Sequence, residues 1–177
     1  MKSIPAKIIL AVVLAGSTLS LRAADQPPLN ENLKPLKMLL GDWKVRWVEN
    51  GQSMSGKTTV KPDAGGSIIT LKFETLDEDG KTIFSTVSIF HWQSETKSLA
   101  EVHFYANGAH GSNVLVNQTD DKLVWQGQRY TPEGKPSWGS MEMIKINENT
   151  WSVQFVRISY QGASLPDGPK LNFTRAQ

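Results

Sequence analysis

The chain has 177 residues, 19 of them Lys or Arg and 17 Asp or Glu, and no cysteine. The lack of thiols excludes a disulfide framework, a thiol nucleophile, thiolate-bound metal and a lipid-modified N-terminal cysteine. The small net charge of +2 gives no footing for nucleic-acid binding. In chain order, residues 1–23 read as a secretory signal peptide. Lys2 and Lys7 form a basic start, Ile8 to Gly16 a short apolar run, and Leu21-Arg22-Ala23 precede a cut before Ala24. The apolar run is shorter than the about 20 residues that span a bilayer, so no membrane insertion is expected after the signal is removed. Removal takes Lys2, Lys7 and Arg22 from the 19 basic side chains and leaves 16 against 17 acidic ones, a net charge of −1. The protein is therefore expected in the periplasm or the medium.

Residues 24–32 are polar and proline-rich and are expected to form a flexible arm. A short helix follows at about 31–40, because Leu33, Leu36, Leu39 and Leu40 fall on one helical face, and Gly41 is a suitable stop. Residues 33–177 are read as one domain. After Gly41 the chain alternates strand-like runs with turn signals such as Asn50-Gly51, Asp79-Gly80 and Asn107-Gly108. The ten runs are 43–49, 56–61, 67–76, 82–92, 98–106, 110–118, 122–130, 138–146, 150–160 and 170–176. Short links favour antiparallel neighbours, and many short, evenly spaced strands favour a barrel or a sandwich.

Alternation inside the runs assigns faces. Trp43, Val45 and Trp47 share one face, as do Ile69, Leu71 and Phe73, and Trp151, Val153 and Phe155. In an up-and-down meander the first strand starts, and the last strand ends, at the same end of the barrel. Arg175 has the parity of Leu171 and Phe173, so its guanidinium is expected beneath the Trp43 indole. A cation over an indole is worth about 0.5–2 kcal/mol, and the spare donors can take the last carbonyls of the helix. Trp43 and Arg175 are thus the expected structural closure.

Gly41-x-Trp43 with a late Arg resembles the calycin superfamily, which includes lipocalins and fatty-acid-binding proteins. A closer likeness is to small exported bacterial lipocalin-like proteins of unassigned function, whose barrel is sometimes found beside a SnoaL-type domain. The matching residues include Leu40-Gly41-Asp42-Trp43, Trp92 to Lys97, Phe104 to Gly108, Asn149-Thr150-Trp151, Arg157 and Gly162 to Asp167. Where that group usually reads Trp-Asp-Pro, this chain has Trp92-Gln93-Ser94, and no SnoaL-type segment is present. The resemblance implies an all-β fold, an antiparallel up-and-down lipocalin-like barrel of about eight to ten strands with a short N-terminal helix, and it brings no activity.

At the other end of such a barrel, parity turns Arg129 and Arg157 toward the mouth, with His110 close by. Trp125 and Phe155 would line the wall. An apolar cup with cations at its rim suits a small apolar or anionic amphiphilic ligand, since Arg forks match carboxylate and phosphate. The expected function is non-covalent binding of such a molecule; the alternative is a structural or interaction module with a filled barrel. Enzyme signals are weak. Glu101 and His103 lie on one strand face, but Ala100, Val102, Phe104 and Ala106 look like the core side, which sends the pair to solvent. No metal-ligand spacing is seen. A haem barrel of the nitrobindin kind needs an inward axial His. His91, sharing parity with Val87 and Ile89, is its best candidate and His110 the next, while the final strand carries none. No cofactor is expected.

Overall fold

The computed structural model describes residues 28–177. The signal peptide and residues 24–27 of the arm lie outside the described residues. The part of the arm that is described is not loose. The Asn30 N–H donates to Gly66 O at 2.9 Å, and Leu29 packs on the core.

The helix is a 3-10 helix, Glu31–Leu39, which Asn30 caps by accepting from the Asn32 N–H. The reason lies in the leucine spacing. A 3-10 helix has three residues per turn, so Leu33, Leu36 and Leu39 stack on a single face, and all three are fully buried. Burying each is worth about 1.5–3 kcal/mol. Leu40 turns to extended backbone, and Gly41 is the first residue of a strand rather than a helix stop.

The strands are β1 (Gly41–Glu49), β2 (Gln52–Asp63), β3 (Ile68–Leu76), β4 (Thr82–Gln93) and β5 (Ser98–Tyr105). They continue as β6 (His110–Gln118), β7 (Lys122–Tyr130), β8 (Pro136–Asn147), β9 (Thr150–Tyr160), β10 (Ala163–Ser164) and β11 (Leu171–Arg175). Strands β1 to β9 follow one another around the wall as antiparallel neighbours. The two-residue β10 lies against β9 only, and β11 fits between β9 and β1. The result is a closed antiparallel barrel of ten strands, β10 standing apart. Closure leaves the ten-strand wall itself without an exposed edge.

The seam between the two ends of the wall is β1 with β11, in a register that sets Trp43 opposite Arg175 and Val45 opposite Phe173. The Arg175 guanidinium lies 4.2 Å from the Trp43 ring centroid and donates from Nη1 to Leu40 O at 2.9 Å. The Trp43 indole N–H donates to Leu39 O at 2.8 Å. The two side chains therefore take carbonyls at the end of the helix that no intrahelical donor reaches. Trp151 meets Trp43 edge-on at 5.6 Å and stacks on Phe173 at 3.9 Å. Helix, seam and aromatic cluster together plug this end.

Gly41 is bound to that plug. Its φ of +118° lies where L side chains are strained, and a Cβ there would stand 2.7 Å from Arg175 Nη1. Gly41→Ala should cost about 1–3 kcal/mol, the usual size of such backbone strain. Trp43→Ala should cost about 3–5 kcal/mol. Urea unfolding with an unchanged m-value checks both; a Trp43→Ala midpoint equal to the wild type would show that the plug carries no stability.

Candidate functional site: the barrel lumen

Above the plug the lumen holds a cavity of about 310 Å³. That lies at the small end of the usual range for ligand pockets, roughly 300–1,000 Å³. It reaches the end away from the helix, where Glu49, Phe84 and Tyr105 close strands β1, β4 and β5. Most of its wall is apolar, with Phe73, Phe90, Trp151 and Phe155 among the rings. Inward-facing residues alternate with outward ones along every barrel strand, which is why Trp47, Leu71 and Val153 face the lumen.

One part of the wall is polar. Ser88 on β4, Glu101 and His103 on β5 and Asn113 on β6 all line the cavity, and all four are buried. The register sets Ser88 beside His103 and Asn113 beside Glu101. Glu101 accepts from Ser88 Oγ at 2.6 Å and from Asn113 Nδ2 at 2.5 Å, and its Oε2 lies 3.3 Å from His103 Nδ1. Burial by itself would raise the Glu101 pKa. The His103 hydrogen bond and charge, with the Ser88 and Asn113 hydrogen bonds, outweigh it and hold the carboxyl below its ordinary value. Gly111, opposite His103 on β6, makes room for the ring: a Cβ there would stand 2.6 Å from His103 Nε2.

Tyr105 meets the His103 ring edge-on at 5.3 Å. Its hydroxyl is pushed up, chiefly by burial and further by Glu101, with Arg129 acting the other way. Among the described residues, four buried side-chain atoms have no hydrogen-bond partner, and three belong to the cavity wall: Thr58 Oγ1, His103 Nε2 and Trp151 Nε1.

The faces of three neighbouring strands correct the sequence reading. On β5 the inward residues are Glu101, His103 and Tyr105, while Phe104 lies 53% exposed outside. On β4 the inward set is Phe84, Thr86, Ser88 and Phe90, so His91 shares the outer face with Val87. On β6 Asn113 faces in, while Val114 is on the outside and His110 is exposed, stacked on Tyr130 at 5.3 Å. Neither His91 nor His110 is an inward ligand for a haem, and His110 does not line the cavity. The cause is an inverted patch. Val87, Phe104 and Val114 form an apolar surface outside, and the polar group sits inside. A rule that buries apolar residues reads such a patch backwards. The usable signal was aromatic: Phe84, Phe90 and Trp92 share the parity of Ser88.

The expected rim cations separate. The Arg129 guanidinium stands 3.9 Å from the centroid of the Phe155 ring and 5.7 Å from that of Tyr105, both of which line the cavity. Arg157 is exposed on the outer surface. Its Nη1 pairs with Glu142 at 3.3 Å, its Nε donates to Ser140 Oγ at 3.4 Å, and its backbone N–H donates to Asp167. The reason is a bulge. Ser140 pairs with Val156 and Trp138 with Ser159, so the intervening residues on β9 outnumber those on β8, and Arg157 takes φ +52°. The extra residue reverses the alternation carried from Trp151 to Phe155. Trp125 is fully buried in the core against Phe90 at 5.4 Å and is not among the residues that line the cavity.

No family model matches the chain, and no curated protein matches it. Among solved structures, the crystal structure of Rv2717c from M. tuberculosis matches with a TM-score of 0.62 at 16% identity, covering 85% of this chain and 100% of that one. The likeness is one of fold. A redesigned β-barrel and a de novo fluorescence-activating β-barrel give TM-scores of 0.41 and 0.36 at 12% and 13% identity, covering 79% and 77% of this chain and 93% of each of theirs.

Glu101 links stability to acid. A carboxyl whose folded pKa is depressed adds stability that is present above its ordinary value of 4.5 and is lost as pH falls below it. Urea midpoints taken near neutrality and well below that value should fall more steeply for the wild type than for Glu101→Gln. Parallel profiles would show that the buried carboxylate contributes no acid sensitivity.

Proposed function

We propose that this protein binds a small, mainly apolar molecule non-covalently in its barrel lumen. The observation that carries the reading is the cavity of about 310 Å³, ring-walled and continuous with one end of the barrel. Arg129 deepens the reading. It lies over two rings of the wall and offers a guanidinium to a carboxylate or phosphate head. Phe155 serves as both wall and platform. The N-terminal run with Lys2, Lys7 and the apolar stretch from Ile8 to Gly16 supports an exported protein, as does the resemblance to exported lipocalin-like barrels.

A second reading, acid–base catalysis in the lumen, draws on the Glu101–His103 pair. A carboxylate that holds one imidazole nitrogen leaves the other free to take a proton.

Protein purified from its own host and weighed by native mass spectrometry should carry a co-purifying small molecule, and stripped protein should take up an apolar fluorescent dye. Thr86→Trp, which places an indole at a wall position of the cavity, should abolish dye uptake while leaving the far-UV spectrum unchanged. A clean apo mass with no dye uptake would establish the filled module instead. Arg129→Ala should weaken anionic ligands about tenfold and neutral ones little, the loss of roughly one charge-assisted hydrogen bond. Equal loss for both would remove the headgroup role.

A further inference from the structure

We propose that the outer wall formed by β11, β1, β2 and β3 docks the protein on an anionic phospholipid surface, flank-on and without insertion. The register builds a grid of outward positions there. Lys44 on β1 stands directly opposite Lys57 on β2, Arg46 opposite Ser55, Thr59 opposite Lys72 on β3, and Lys61 opposite Thr70. Lys170, just ahead of β11, joins Arg46 along an open groove. All six cations are exposed. Three carboxylates share the face, and each is engaged. Asp42 accepts from the Thr59 hydroxyl, Asp63 accepts from the Ala64 N–H, and Glu74 lies 3.6 Å from Lys57 and 3.2 Å from Lys72. Lys44, Arg46, Lys61 and Lys170 have no ion-pair partner among the described residues. Six cations against three carboxylates leave a local excess of three positive charges.

The arrangement costs stability. Lysine is a poor strand former, and like charges directly opposite one another repel. Strand lysines commonly guard an open sheet edge, yet β1 and β2 are each paired on both sides, so no edge is protected here. The charge therefore serves something outside the barrel. That partner is anionic and broad. Five of the six cations are lysines, point charges on long stems rather than the rigid forks that read a shaped anion. None of the outward residues of these strands is an aromatic ring that could stack on a base. A fluid layer of phosphate headgroups needs neither fork nor stack, and each nearby cation adds to the attraction. Val48, 62% exposed, and Met54 line the groove beside Arg46 and Lys170. Apolar tips among cations match the boundary between headgroups and acyl chains. At the mouth the turn after β3 carries Asp77, Glu78 and Asp79, which oppose an end-on approach and leave the flank. Trp47 lines both the groove and the lumenal cavity, so the docked flank adjoins the lumen.

The test sediments protein purified from its own host with vesicles of phosphatidylglycerol mixed into phosphatidylcholine, and with vesicles of phosphatidylcholine alone. It should bind the first and not the second. Binding should be lost as salt rises from about 0.1 to 1 M and the Debye length falls from about 10 to 3 Å. Lys44→Thr with Arg46→Thr should weaken binding about thirtyfold, the share of two surface cations, without lowering the urea midpoint. Lys97→Gln with Lys135→Gln removes equal charge from exposed turns elsewhere and should bind as the wild type. Soluble polyglutamate, added to the wild type at equal charge, should compete weakly. That arm and the salt series stand even where the variant does not fold. No binding to either vesicle, equal binding to both, wild-type affinity in the β1 variant, or equal loss in the two double variants overturns the proposal. Polyglutamate that displaces the vesicles at equal charge overturns it in favour of an acidic protein partner. Dye uptake by the lumen is read separately, so none of these outcomes touches the lumenal-binding reading.

Discussion

The stack of Arg175 on Trp43 governs the rest of the molecule. These residues come from opposite ends of the described chain, yet they are register partners on β1 and β11. A barrel has no edges only when its last strand finds its first, and a side-chain lock at that seam selects the register. The lock also satisfies backbone. Trp43 takes Leu39 O and Arg175 takes Leu40 O, so the 3-10 helix is held over the end of the cylinder by the residues that close it. Gly41 is the hinge that lets helix and strand meet there, since its positive φ brings its Cα against the guanidinium. One end of the barrel is therefore sealed by packing and hydrogen bonds together, and the cavity reaches the other.

The wall above the plug divides its labour. Aromatic and aliphatic side chains fill most of it, and a cluster of four polar residues occupies one patch across β4, β5 and β6. Burying a carboxylate is costly unless donors surround it. Glu101 meets that condition through Ser88, Asn113 and His103. The cluster is nearly self-satisfied, and its one unmet atom belongs to His103. Such networks fix side-chain geometry more than they add stability. Here the fixed quantity is the orientation of an imidazole. The same strands carry Val87, Phe104 and Val114 on the outside, an inversion of the usual distribution that runs through neighbouring strands rather than at isolated positions.

Strand positions were legible because turn signals bracket nearly every run, and hairpin links leave little freedom in the order of an up-and-down meander. The inner faces of β1, β3 and the first half of β9 were legible too, since one parity there is aromatic or aliphatic and the other is mostly polar or charged: Trp43, Val45 and Trp47 against Lys44 and Arg46, and Trp151, Val153 and Phe155 against Ser152 and Gln154. On β4 both parities carry bulky apolar residues, and on β5 and β6 the contrast is inverted, with Glu101, His103 and Asn113 inside and Phe104 and Val114 outside, so alternation points the wrong way. Arg157 failed for another reason. A bulge is a backbone event with no side-chain signature at that position, and one extra residue sends the guanidinium through the wall to Glu142.

By itself, the sequence determined an all-β chain of ten barrel strands in meander order, with its ends brought together, because turn residues and short links constrain topology locally. Only the tertiary structure decided which face of β4, β5 and β6 looks inward, where Arg157 points, and that Glu101 and His103 meet in a cavity. Those facts depend on inter-strand register and on a bulge, and register is a property of two chain segments at once.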